Sequence, residues 1–156
     1  MSGAVRPTIR IQAGDFDTAA EVAAMTQGRT DIGAVVTFCG LCRDENGQLS
    51  ALELEHYPGM AEAEIGRIAM EAVGRWPLQG VTVIHRYGHM KPGDNIVLVV
   101  TASTHRQAAF EAASFLMDYL KSRAPFWKKE HGANGTAGDW VDAKEADDKA
   151  AARWRR

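Results

Sequence analysis

Only 2 of the 156 residues are cysteine, too few for a disulfide framework and in keeping with a reducing compartment. Long apolar runs are missing as well. Nothing approaches the roughly 18 consecutive apolar residues of a membrane span, and the N-terminal MSGAVRPTIRIQAGDF lacks the apolar centre of a signal peptide. A cytoplasmic protein without membrane contact is therefore expected. An excess of positive charge is also absent: 18 Lys and Arg stand against 20 Asp and Glu. That balance leaves no global field to hold a nucleic acid, so any basic function must be local. No repeat, low-complexity tract or linker divides the chain, and its length suits one core, so a single domain over residues 1–156 is expected.

What is present reads as strands alternating with helices. A short strand is expected at Thr8 to Gln12. Thr18 to Glu21 has capping-box spacing and opens a helix that Gly28 ends. GAVVTFCGL reads as a buried strand and ALELEHY as an alternating one. The Asn-Gly pair between them predicts that Val35 to Leu41 and Ala51 to Tyr57 form an antiparallel hairpin. From Ala61, apolar residues recur at helical spacing through Ile65, Ile68, Ala69, Ala72, Val73 and Trp76 until Pro77. VTVIHRY and NIVLVVTAS, joined by GHMKPGD, predict a second hairpin. A long helix follows, opened by a second capping box from Thr104 to Gln107 and closed near Ala124 by Pro125. Two apolar stripes place it between a sheet and a second body, which could be another subunit. The segment after Pro125 reads as loop up to GDWV, and AKEADDKAAARW as a closing helix. The fold class is α+β, a mainly antiparallel sheet packed with helices.

Local basic chemistry concentrates in two places. A Thr104 cap would put His105 and Arg106 in the first helical turn, where free N–H groups and the dipole favour an anion. Cations there are mildly unfavourable, so a phosphate site is favoured over a merely solvated helix start. In KSRAPFWKKE, Lys121 and Lys128 flank a proline, with Phe126 and Trp127 able to exclude water on one side. Desolvation and the neighbouring Arg123 and Lys129 would lower a lysine pKa and free the neutral amine as nucleophile or proton acceptor. Taken alone, the segment favours the plainer reading, in which basic side chains complement the end of a helix and cover aromatic rings.

Three other patterns carry less. Cys39 and Cys42 form a lone C-x-x-C at a strand end rather than a helix start, and zinc would need two more ligands. His85 and His89 in HRYGH have no obvious third ligand and read as core or turn residues, so no metal centre is expected. GANGTAG lacks the preceding strand and following Lys-Ser/Thr of a phosphate cradle.

Several blocks in order resemble one family along nearly the whole chain: GAVVTFCGLCRDENG, LELEHYPGM, RWPLQGVTVIHRYGHMKPGD, HRQAAFEA, MDYLKSRAPFWKKE and WVDAKEADDKAAARW. The chain resembles the large, catalytic subunit of molybdopterin synthase. The resemblance implies an α/β hammerhead-type fold and a homodimer of large subunits within a heterotetramer. A small ubiquitin-like sulfur-carrier subunit would dock on each large subunit. It implies further that the carrier's C-terminal Gly-Gly thiocarboxylate gives its sulfur to cyclic pyranopterin monophosphate, precursor Z, and that two transfers make the molybdopterin dithiolene. No cofactor is implied. By the same resemblance Lys121 and Lys128 match the essential lysines, Arg43 a substrate-pocket arginine, His105 and Arg106 an anion-contacting pair, and Phe38 and Met117 pocket-lining positions. Lys144 stands where many relatives carry arginine, which keeps the charge but not the bidentate fork. The cysteines have no part in that mechanism.

Geometry adds one expectation. His105 precedes Lys121 by 16 residues, about 24 Å along a helix, more than one small pterin spans. If all these residues serve one substrate, Lys121, Lys128 and Arg43 come from one subunit and His105 and Arg106 from the other.

Overall fold

The computed structural model describes residues 5–44, 49–132, 137–141 and 145–155. The chain runs β1 (Thr8–Gln12), α1 (Thr18–Thr26), β2 (Ala34–Leu41), β3 (Leu49–His56), α2 (Met60–Arg75), β4 (Leu78–Arg86), β5 (Gly88–Met90), β6 (Asn95–Ser103), α3 (Arg106–Ser122), β7 (Phe126–Gly132), β8 (Ala137–Val141) and α4 (Glu145–Ala152). The strands form two four-stranded sheets, ordered β1-β4-β6-β2 and β5-β3-β7-β8. Every pairing is antiparallel except β1 with β4. The expected α+β class, mainly antiparallel and packed with helices, is what the chain adopts.

The first sheet is built on two β-branched runs, β4 and β6, whose residues are buried on both faces. Alternation sends Val81, Val83 and Val99 to one face, where they meet Phe115 and Leu116 of α3 and Ile65 and Ile68 of α2. Ile84, Leu98 and Val100 go to the other face, where Phe16 and Val22 cover them. In α2 the buried set is Ala61, Ile65, Ile68, Ala69 and Ala72, one stripe at helical spacing. Thr101 lies inside this core, and its hydroxyl is satisfied by donating to the Ala109 carbonyl at 2.7 Å. The second body beside α3 is thus supplied within this chain by α2 and α4, while Phe110 on α3 stays 60% exposed.

β4 and β6 form the expected hairpin, with Thr82 opposite Val100. The turn segment between them contains the short strand β5, which leaves the first sheet to pair with β3. The other predicted hairpin does not form. β2 pairs with β6 and β3 pairs with β5 and β7, so the two strands around Asn-Gly belong to different sheets. Residues 45–48 of that turn, and residues 133–136 of GANGTAG, lie outside the described residues. The segment after Pro125 is also strand rather than loop. β7 takes a central place in the second sheet between β3 and β8.

Caps fall one residue from expectation. Asp17, not Thr18, caps α1, accepting from the Ala20 N–H at 3.0 Å. His105, not Thr104, is the N-cap of α3. The Thr104 hydroxyl is engaged elsewhere, accepting from Gln79 Nε2 at 2.5 Å and donating to the Asp31 carbonyl at 3.4 Å. A side chain at Gly33 would overlap the Thr104 carbonyl, so glycine there lets the start of β2 lie directly against the start of α3.

Candidate functional site

The C-terminal turn of α3 carries Lys121, and β7 begins four residues after that turn at Phe126. In the β3–β7 ladder His56 lies opposite Phe126 and Leu54 opposite Lys128. Residues directly opposite share a face, so Phe126 and Lys128 project on the side of the buried Leu52 and Leu54. They stand about 7 Å apart along the strand. The Phe126 ring stacks on His85 with centroids 3.8 Å apart and planes at 16°, and lies 5.9 Å from His56, whose ring meets Tyr87 at 4.6 Å. The Lys121 charge acts on His85. Lys121 at the end of α3 thus acts on this stack through its charge, and Lys128 lies on the same face of β7 as the Phe126 ring within it.

Trp127 does not share this arrangement. Alternation turns it to the opposite face, where it meets Tyr57 edge-on at 4.7 Å. The two adjacent rings that the sequence placed on one side of the lysines are therefore split between the two faces of β7.

His85, read from the sequence as a core or turn residue, is a core residue, and its contact with Phe126 is what the sequence did not show. It is 8% exposed. Burial, then the charges of Lys121 and His56, push its pKa from 6.5 down to about 4, against the opposing effect of the hydrogen bond to the Arg86 carbonyl. At neutral pH the ring is uncharged, and Nδ1–H donates to that carbonyl at 2.8 Å. A base whose folded pKa is depressed stabilises the fold above its unfolded pKa and loses that contribution as pH falls. The window here runs from 6.5 to about 4, and the loss is about 3 kcal/mol. Denaturant titrations at pH 7 and pH 4 should show this loss, and His85→Phe should remove it from the difference between the two curves.

Arg43 follows Cys42, whose backbone N–H bonds the Asp94 carbonyl at 2.8 Å and whose carbonyl accepts from Gly93 N–H at 2.7 Å. Cys42 is buried with Leu52, Leu54 and Met90. That tie fixes the backbone just before Arg43 beside the cluster on the Lys128 face, and Arg43 itself is exposed. Phe38 lies opposite Val99 on the α3 side of the first sheet, and Met117 of α3 packs into the core beneath the helix. His105 and Arg106 are exposed at the other end of α3, 15 residues from Arg106 to Lys121, about 22 Å apart. Within one chain, then, the lysine cluster and the His105–Arg106 pair are separate. Lys144 lies outside the described residues.

The cysteines are built unlike a reactive dithiol. Cys42 belongs to the second-sheet cluster, whereas Cys39 packs with Leu98 and Val100 on the α1 side of the first sheet. Burial pushes both thiols up from their ordinary value, the reverse of what a nucleophilic cysteine needs. A cleft of about 820 Å³ lies at the far end of β4, beside Arg6, Arg10, Arg29, Leu78 and Thr104. Two of its guanidinium groups are already engaged, Arg10 by Glu21 and Arg29 by Asp31. It is not the space between the lysines.

Fold and site define a two-sheet α+β protein in which a lysine at a helix end acts on a buried neutral histidine, and a second lysine shares a strand face with the ring stacked on that histidine. The chain belongs to the MoaE protein family, whose model matches residues 11–123. It is 75% identical over 155 residues to the molybdopterin synthase catalytic subunit of Mesorhizobium japonicum, covering 99% of this chain and 98% of that one. Among solved structures it is similar to the molybdopterin biosynthesis MoaE protein of Burkholderia ambifaria, with TM-score 0.81, 50% identity, and 95% and 97% of the two chains covered. It is also similar to molybdopterin synthase from Staphylococcus aureus, with TM-score 0.75, 29% identity, and 85% and 95% covered. No described helix is long and apolar enough to cross a membrane.

Proposed function

We propose that the chain is the catalytic subunit of a cytoplasmic molybdopterin synthase. It moves sulfur from the C-terminal Gly-Gly thiocarboxylate of a small ubiquitin-like carrier to precursor Z, and two transfers form the dithiolene. The observation that carries this reading is the near full-length likeness to catalytic subunits of that enzyme.

In this reading the Lys121 and Lys128 ammonium groups receive the carrier's tail. A thiocarboxylate that gives up sulfur and ends as carboxylate breaks its C–S bond and gains oxygen from water. Charge shifts between sulfur and oxygen during that exchange, and fixed cations stabilise it. Lys121 serves as proton donor or acceptor and Lys128 orients the tail or the pterin. Arg43 and Lys144 add charge for the substrate phosphate, and Phe38 and Met117 give the pterin an apolar wall. The reconstitution test mixes the purified chain with thiocarboxylated carrier and precursor Z. Molybdopterin should form, and a chain that binds the carrier yet forms none would overturn the reading.

His105 and Arg106 enter the same pocket from a second copy of the chain. The length of α3 supports this, because the two groups of one chain lie too far apart for one pterin. Lys121→Ala and Arg106→Ala chains should each be inactive as homodimers, while their mixture regains up to about a quarter of the activity as sites with both wild-type contributions form. Absence of recovery after verified exchange would rule out a shared pocket.

A further inference from the structure

We propose that Glu53, His89 and His131 form a binding site for a divalent transition ion of the zinc type, on the face of the second sheet opposite Lys128.

The three residues come from three adjacent strands. His89 of β5 lies directly opposite Glu53 of β3, and His131 of β7 lies two residues along on the other side, opposite Ala51 and diagonal to Glu53. Alternation puts all three on the face opposite Leu52 and Leu54. Both imidazoles aim Nε2 at the same carboxylate oxygen. His131 Nε2 lies 3.2 Å from Glu53 Oε1, and His89 Nε2 lies 3.7 Å from it. The two rings are 5.6 Å apart, and the three ligand atoms all fall within 4.8 Å of one another. With metal–ligand bonds of about 2.0–2.1 Å, the edges of a tetrahedral site are about 3.3 Å. The separations bracket that value, so small side-chain rotations close the triangle.

Donor chemistry selects the ion. Two imidazole nitrogens and one carboxylate suit zinc, copper, nickel or cobalt, and not calcium or magnesium, which take oxygen sets. The His89 side chain is 68% exposed, which leaves a fourth position to water. Lys129 stands opposite Glu53 on the same face. Bound metal would tie β5, β3 and β7 together and stiffen the sheet whose other face carries Lys128. The ligands are spread from 53 to 131, so no local spacing announces them, and HRYGH alone lacks its remaining partners.

The test uses the full-length, tag-free chain stripped of metal with chelator. Zinc titration followed by calorimetry should give one equivalent per chain, with a higher thermal midpoint. Cobalt(II) should show the intense visible absorption of a four-coordinate site. His89→Ala and His131→Ala should each weaken zinc binding by more than about tenfold. His89 is exposed, so its variant keeps the metal-free melting curve and separates lost ligation from lost folding. An unchanged midpoint with zinc, or equal binding by the double His89→Ala, His131→Ala variant, would overturn the proposal.

Discussion

Lys121→Ala is expected to lower the rate of sulfur transfer by on the order of 10²–10⁴-fold, the range of a lost general acid or base, while the fold and carrier binding persist. The side chain is exposed on the last turn of α3. Its removal therefore leaves no core cavity, and it forfeits the modest benefit of a cation at a helix C-terminus. Lys121→Arg separates two roles. Arginine keeps the charge but cannot give up its proton, so a site needing only a cation would retain most activity and one needing proton transfer would stay inactive. A second readout ties the residue to its surroundings. Lys121 helps hold the His85 pKa down, so in Lys121→Ala that pKa should rise, measurable by NMR titration of the ring. An unchanged rate would remove Lys121 from the chemistry, and an unmoved His85 would break the link between helix end and stack.

Much of the frame was legible because local chemistry and tertiary pairing agreed. Apolar spacing in α2 and the β-branched runs of β4 and β6 each had a single consistent reading, and their partners are near neighbours in sequence. The misses came where local and global signals diverged. Asn-Gly is a good hairpin turn, yet β2 pairs with the buried β6 and β3 pairs with β5 on one edge and β7 on the other, which carries the two strands into separate sheets. β7 was hidden because its two faces hold Phe126, Lys128 and Glu130 against Trp127, Lys129 and His131. Neither set is apolar throughout, so the period-two contrast that marks a strand is missing. It is strand because β3 and β8 supply ladders on both sides. The site shows the same division. Lys121 and Lys128 could be singled out by residue type, but the His85–Phe126 stack joins residues 85 and 126 and exists only once the two sheets meet.

Phe115→Ala is expected to destabilise the chain by about 3–5 kcal/mol, the cost of removing a fully buried aromatic side chain and leaving a cavity. Phe115 is 0% exposed. Its ring meets Trp76 at 5.3 Å, Trp154 at 5.6 Å and Tyr119 at 4.9 Å, with the Arg75 guanidinium 4.8 Å above it. Three of the surrounding polar groups are anchored by hydrogen bonds. Trp76 Nε1 donates to Glu111 at 2.7 Å, Trp154 Nε1 to Asp118 at 2.6 Å, and Arg75 to the Trp154 carbonyl at 2.7 Å. These bonds hold the cavity walls in place and limit collapse, which argues for the upper part of the range. The cluster also fastens the end of the chain to α3, since Trp154 and the Arg153–Asp118 pair latch the segment after α4 to that helix. Loosening should therefore appear first as faster amide exchange in α4, ahead of global unfolding. Denaturant titration followed by tryptophan fluorescence gives the magnitude. Phe115→Leu, which keeps most of the volume, should recover the greater part of the loss. A deficit below about 1 kcal/mol in Phe115→Ala would be incompatible with a ring enclosed on all sides.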